Sequence, residues 1–210
     1  MTSWLHEERL AAVLAAVRAT GAARILDLGC GDGDLLLRLA REPGIEEIVG
    51  LDICTASLDR LRRRLCDLGS CGPRIELRAA SMTDPAPELA GMDCAVLVET
   101  IEHLDPDRLS RLERALFHTL RPGAVVVTTP NAEFNPLLGV PPHRFRHPDH
   151  RFEWSRSRFR QWCSRAARSA GYAVTFQDIA GRHPDLGGAS QMAVFRSPCP
   201  DRAETVPATP

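Results

Sequence analysis

Short, nearly continuous apolar runs alternate along the chain with longer stretches in which apolar residues recur every three or four positions. Runs of the first kind read as strands buried on both faces, and stretches of the second kind as amphipathic helices. The pattern predicts a helix over residues 3–19, with Leu10, Val13, Leu14 and Val17 inward and Ser3 as its cap. Strands follow at 23–28, 47–51, 74–78, 92–98 and 124–129. The intervening helices are expected from Gly33 through Leu39, over 55–68 and over 105–120, the last with Pro106 in its first turn. Such alternation gives an α/β domain with a mostly parallel sheet and helices on both faces. Beyond Thr129 the alternation stops. Residues 131–153 are rich in Pro, His, Arg and Phe and have no period. A stretch that long inside a compact domain is usually functional. Ser155 then caps a helix reaching Ala170, and strands at 172–176 and 191–196, joined without a helix, predict an antiparallel edge pair.

Composition narrows the class. At 210 residues, 44% hydrophobic and 25% charged, the chain suits one domain with a full core. One domain is expected over 1–197, with an N-terminal helix within 1–20 and the aperiodic loop at 131–153. The Pro-rich residues 198–210 are expected to be a disordered tail. A net charge of −1 excludes a global nucleic-acid field. Every basic residue is Arg; a codon bias is the plain reading, although Arg does suit bidentate phosphate contacts. The seven cysteines are scattered, odd in number and without a C-x-x-C pair, which predicts reduced thiols in a cytoplasmic protein. Cys30 reads as a small spacer. No apolar run approaches the ~20 residues of a membrane span, and no secretory pattern opens the chain.

Chemistry enters with Asp27-Leu-Gly-Cys-Gly-Asp-Gly33, between the first strand and the helix after it. Glycine lets the backbone turn there and lets a ligand approach the main chain. Asp52, at the end of the second strand, can accept both hydroxyls of an adenosine ribose. The spacing resembles that of class I S-adenosylmethionine-dependent methyltransferases. That resemblance implies that Asp27, Gly29 and Gly31 line the methionine and ribose side of the cofactor, that Asp52 holds the ribose, and that Ser81 and Met82 frame the adenine. Asp84 reads equally as an adenine contact or as a turn acid before Pro85. The Arg60, Arg62, Arg63 and Arg64 run reads as a solvated helix face, with RNA contact as its alternative.

A second cluster, Glu99, Glu102 and His103, sits where the fourth strand runs out. Open α/β sheets bind ligands at that edge. Acids favoured at a helix start would explain it equally well. His150, in the aperiodic loop and with no core role to explain it, shifts the balance toward a cation site; His143 and His147 are competing ligands. Two carboxylates and two imidazoles suit Mg²⁺, Mn²⁺ or Co²⁺ better than a structural zinc. Four protein ligands leave two positions of an octahedron for a vicinal diol.

The strings Glu99-x-x-Glu102-His103, Val127-Thr-Thr-Pro-Asn-x-Glu-Phe-Asn135, Arg146-His-x-Asp-His-Arg-Phe-Glu-Trp154 and Ser190-Gln-Met-Ala-Val-Phe195 together resemble the small-RNA 3′-terminal 2′-O-methyltransferase family. The resemblance implies a Rossmann-like fold with a seven-stranded sheet and a divalent cation, Mg²⁺ or Mn²⁺, held by Glu99, Glu102, His103 and His150 as the catalytic set. It also implies methyl transfer from S-adenosylmethionine to the 2′-hydroxyl of the 3′-terminal ribose of RNA. Bacterial members of the family seal repaired RNA ends and work with an end-healing kinase-phosphatase and ligase partner; the amino-terminal half they typically carry is not in this sequence. Arg144, Arg146 and Arg151 are the expected phosphate contacts, and Phe152 and Trp154 pack the loop or meet bases. The competing expectations are a metal-assisted O-methyltransferase of a small catechol-like diol and an inactive RNA-end-binding subunit. The proton acceptor is unassigned.

Overall fold

The computed structural model describes residues 4–67 and 72–198. The Ser3 cap, the far end of the 55–68 helix and residues 199–210 of the expected tail lie outside them. The strands are β1 (Arg24–Leu28), β2 (Glu47–Asp52), β3 (Arg74–Ala79), β4 (Cys94–Val98), β5 (Ala124–Pro130), β6 (Ala173–Ile179) and β7 (Ser190–Arg196). They form one sheet in the order β3-β2-β1-β4-β5-β7-β6. The β1–β2, β2–β3, β1–β4 and β4–β5 pairs are parallel, and β7 runs antiparallel to both β5 and β6. This is the expected Rossmann-like α/β architecture with its antiparallel edge pair.

Strand alternation sorts the core into two layers. Ile25, Ile48, Cys94, Val96 and Val126 face α1 (Trp4–Arg18), α2 (Leu36–Leu39) and α3 (Thr55–Cys66). Leu26, Leu28, Val49, Leu51, Ala95, Leu97, Val125 and Val127 face α4 (Leu109–Arg114) and α5 (Arg156–Ala170), against Phe117, Phe159 and Trp162. Every residue of β5 is buried, which is why that run reads as continuously apolar up to its two threonines.

Most boundaries fall within two residues of the sequence expectation, and three elements differ by more. The helix expected from Gly33 begins only at Leu36, because Gly33 (φ +85) still belongs to the turn of the glycine loop. The single helix expected over 105–120 is a tight turn, Pro106–Arg108, then α4, then a more loosely wound π-type segment, Ala115–Leu120. It ends at Arg121, whose left-handed backbone stops it. The strand expected to end at Phe176 runs on to Ile179, its whole length paired with β7.

The long excursion between β5 and α5 is ordered from inside. It opens with a helical turn, Ala132–Leu138, capped by the Asn131 side chain, which accepts from Glu133 N. It closes where Ser155 caps α5 by accepting from Arg158 N.

Candidate active site

The glycine loop wraps one end of a cleft of about 670 Å³. All six residues expected at a cofactor (Asp27, Gly29, Gly31, Asp52, Ser81 and Met82) line it. Asp52 organises the loop: its carboxylate accepts from Gly31 N and Cys54 N, both at 2.8 Å. Asp27 is buried and its Oδ2 has no hydrogen-bond partner among the described residues. Burial first, and then the charge of Asp52, pushes its carboxyl up to about 7. An orphaned acid facing a cleft suits a cationic ligand, so these residues fit a sulfonium cofactor. Cys30 is buried, and burial holds its thiol far above the usual range, so it is no nucleophile. Asp84 is exposed, closes a turn onto Ser81 O (3.1 Å) and is outside the cleft lining. Arg60, Arg62 and Arg64 pair with Asp32, Asp59 and Asp34, as a solvated face does.

The glycines divide the work. A Cβ on Gly31 (φ +52) would meet nothing within 4 Å, whereas one on Gly33 would stand 2.1 Å from Leu61 Cδ1. Alanine at Gly33 is therefore expected to cost about 2–4 kcal/mol of stability, from overpacking and a left-handed backbone. Alanine at Gly31 should cost only about 1 kcal/mol and instead weaken cofactor binding. Thermal melts and calorimetry separate the two; equal losses of stability would contradict this division.

At the carboxyl end of β4 the chain turns sharply. Glu99 has φ +51, a left-handed backbone that costs a non-glycine residue about 1–3 kcal/mol. Its amide donates to Thr128 O (3.2 Å) and Thr128 Oγ1 (3.1 Å) of the neighbouring strand. The turn Ile101–His103 follows and places Glu102 fully inside the protein. Glu102 Oε2 accepts from Thr129 Oγ1 at 2.9 Å, while Oε1 is buried with no partner among the described residues. Burial, then the nearby Glu99 charge, holds the Glu102 carboxyl well above the usual carboxylate range. Glu99 is engaged: Oε1 accepts from Thr128 Oγ1 (3.0 Å), and Oε2 lies 3.3 Å from both Ser190 Oγ and the Arg9 guanidinium.

The long loop brings the imidazoles. Arg151 N donates to Glu102 O at 2.7 Å, which docks the loop on the turn. His150 Nδ1 lies 2.6 Å from Glu153 Oε1. Burial works to raise the Glu153 carboxyl, but hydrogen bonds from His150, Asn135 and Arg146 N win and hold it below the usual range. An ionised Glu153 can only accept, so Nδ1–H of His150 donates to it, the hydrogen bond that orients a metal-binding histidine with Nε2 as its ligand atom. Burial, then the neighbouring His150, lowers the pKa of His103 and favours its neutral form. The His103 and His150 rings are 4.9 Å apart, and His147 stands 5.9 Å and 5.6 Å from them.

The expected four-ligand set is thus brought to one place but not into one tight group. Among the described residues, the group whose donor atoms all lie within 4.8 Å of one another is His103, His147 and His150. His147 takes part, although its Nδ1 also accepts from Asp149 N (3.2 Å). Glu99 and Glu102 lie outside that group; Arg9, Ser190 and Thr128 engage Glu99, and Thr129 engages one oxygen of Glu102. The orphaned buried Glu102 oxygen and the clustered imidazoles, of which His103 favours its neutral form, nevertheless fit a divalent cation by their chemistry.

The Arg expectations divide. Arg146 is turned inward: Nε donates to Asn135 Oδ1 (2.5 Å), one terminal nitrogen to Ala189 O (2.6 Å) and the other to Asn131 O. It staples the loop to the ends of β5 and β7 and is spent as a phosphate contact. Arg144 and Arg151 remain exposed, Arg151 lying 3.6 Å from Asp105. Phe152 and Trp154 are buried and stacked, as loop packing requires. Two contributors escaped the sequence reading. Arg9 lies 90 positions from the glutamate it pairs with, and nothing local marks it. Glu153 had a signal, its three-residue spacing from His150.

A family model described as "Methyltransferase domain" matches residues 25–123. The chain is 35% identical to the small RNA 2′-O-methyltransferase of Gallus gallus, over 96% of this chain and 56% of that protein. The chain spans about half the length of the curated relatives it matches. Among solved structures, the methyltransferase domain of bacterial CtHen1-C superposes with a TM-score of 0.81 at 37% identity, over 93% of this chain and all of that one. The small RNA methyltransferase HEN1 superposes with a TM-score of 0.84 at 32% identity, over 92% of this chain and 26% of that one. The cleft at the carboxyl edge of the sheet, its glycine loop and the glutamate–histidine cluster beside it are in keeping with these likenesses. The chain belongs to the small-RNA 2′-O-methyltransferase family, within the class I S-adenosylmethionine-dependent methyltransferases.

Proposed function

We propose that the chain transfers a methyl group from S-adenosylmethionine to the 2′-hydroxyl of the 3′-terminal ribose of RNA. The observation that carries this reading is the continuity of one cleft. The surface that begins at Asp27, Gly31 and Asp52 runs to Glu99, His103 and Asp149 without a break. A methyl donor and a cation-held diol would therefore be neighbours.

In this reading Asp27, Gly29, Gly31, Asp52, Ser81 and Met82 hold the cofactor, and Glu99, Glu102, His103 and His150 hold a divalent cation, Mg²⁺ or Mn²⁺. A bound cation would lower the pKa of a ribose hydroxyl and fix its direction. The residues of the chain do the rest. Glu153 sets the His150 tautomer. Thr129 orients Glu102. Arg144 and Arg151 meet phosphates. The ribose 2′-oxygen forms a bond to the methyl carbon, the carbon–sulfur pair stays on sulfur, and the hydroxyl proton passes to solvent. Alignment accounts for most of the acceleration, since the leaving group is already activated. A companion that heals and joins RNA ends suits such an activity, because a methylated end protects a junction only once it is joined.

The test uses labelled cofactor, Mn²⁺ and strands of about ten nucleotides, a length within single-strand footprints. Methyl transfer is expected at one site per strand, only on ends with both hydroxyls free. Strands ending in 2′-deoxyribose or a 3′-phosphate should be inert. Transfer to 3′-phosphorylated RNA at a comparable rate, or spread over internal positions, would refute the proposal.

A further inference from the structure

Five large apolar side chains are exposed among the described residues: Trp4, Ile53, Leu137, Leu138 and Phe145. Three of them lie in the one excursion between β5 and α5. Phe145 is 47% exposed, whereas Phe134, Phe152 and Trp154 of the same segment are buried. A single exposed ring needs no explanation. This one stands in a particular setting. Its base is rigid: Arg146, the next residue, is fixed to Asn135, Asn131 and Ala189. The chain before it is turned by Gly139 (φ +69) and by bonds from Val140 N to Asn135 O (3.1 Å) and from Arg144 N to Pro141 O (3.0 Å). Its sequence neighbours are basic: Arg144 is exposed beside it, residues 137–148 hold no carboxylate, and the Glu153 carboxylate that accepts from Arg146 N is itself engaged by His150 and Asn135. Its place is at the rim of the site, since two residues span at most about 7 Å and His147 belongs to the imidazole group.

We infer that Phe145, with Arg144 beside it, is a stacking subsite for a nucleobase within the last two nucleotides of the RNA strand. The inference rests on the RNA reading above and adds to it the part of the protein that grips the base. An aromatic face on a fixed backbone stacks on any base at little ordering cost, and the neighbouring guanidinium meets the phosphate of the same nucleotide. The subsite should therefore be tolerant of sequence. It explains why this ring stays out while its neighbours pack inward.

The experiment uses the full chain and a short RNA with a free 3′ end. 2-Aminopurine replaces the last, the second-last or the sixth base from that end. Phe145→Ala and Phe145→Trp are compared with the wild type, with S-adenosylmethionine calorimetry as the check on folding. Fluorescence quenching is expected at one of the two terminal positions for the wild type and Phe145→Trp, and should be lost in Phe145→Ala. The KM for RNA should rise about tenfold or more in Phe145→Ala. Making the stacked nucleotide abasic should raise the wild-type KM by a similar factor and add little in Phe145→Ala. If the wild type methylates RNA while Phe145→Ala shows the same KM and the same quenching, the subsite is wrong and any partner of that ring is something else. A wild type that neither binds nor methylates RNA overturns the RNA reading, and the subsite with it.

Discussion

Glu102→Gln is expected to lower methyl transfer by more than about 10³-fold, the scale on which loss of metal activation acts. Affinity for S-adenosylmethionine should change less than about twofold, because Glu102 lies outside the cofactor end of the cleft. The fold should barely respond. Burial already favours the neutral acid, and Thr129 Oγ1 can donate to the amide oxygen as it donates to the carboxylate. A melting temperature within about 4 °C of wild type, the scale of a 1 kcal/mol change, marks the loss as one of chemistry. His150→Ala should behave alike in turnover. A folded variant of either kind with full activity, or a wild type unaffected by excess chelator, removes the cation from the reaction.

Asp27→Asn should produce opposite effects on stability and binding. The Asp27 carboxyl rises from 3.8 to about 7 in the folded protein, through burial and then the charge of Asp52. The folded state thus holds a proton that the unfolded state has lost throughout that interval, so stability falls as pH rises across it. The cost is absent below 3.8, accumulates toward 7 and is complete above it; at ~1.4 kcal/mol per unit it reaches about 4 kcal/mol. Asparagine removes it. The variant should melt about 8–16 °C above wild type at pH 8, and the gap should close near pH 4. Cofactor binding should move the other way. An ionised Asp27 favours a cationic ligand, so wild-type affinity should climb between pH 6 and 7.5, while the variant binds weakly and without that climb. Parallel melts of the two proteins across pH would show that Asp27 is not the titrating group.

The central strands are legible because each is buried on both faces and reads as an unbroken apolar word. The glycine loop is legible because its acids and glycines keep their register with the strand ends. Glu99, Glu102 and His103 are close in sequence and sit together where β4 ends, and the docked loop brings His150 beside them. That His147 joins the imidazoles while the two carboxylates stay outside their group is not legible. The loop that supplies His150 is where the reading thins. Without a period, nothing separates inward from outward residues, so Arg146 reads as a phosphate contact when it is a staple, and Phe145 does not stand out from Phe152. The Arg9–Glu99 pair is out of reach of local reasoning, since its partners are joined only by the packing of α1 on the sheet. The left-handed Glu99 is likewise invisible, because a glutamate does not advertise positive φ.

The staples of the long loop have a consequence for biosynthesis. Arg146 is closed by Ala189 O, Asn131 by Leu186 O and Gly188 O, and Gln191 ties Pro130 and Trp154 together. Those partners lie at or just before the final strand. A nascent chain emerging amino end first can pair its parallel strands and build the cofactor loop long before it can order the histidine loop. The histidine loop can therefore be ordered only once the segment around residue 190 is available, and a chain arrested earlier would carry the glycine-loop cleft without the imidazoles held beside it.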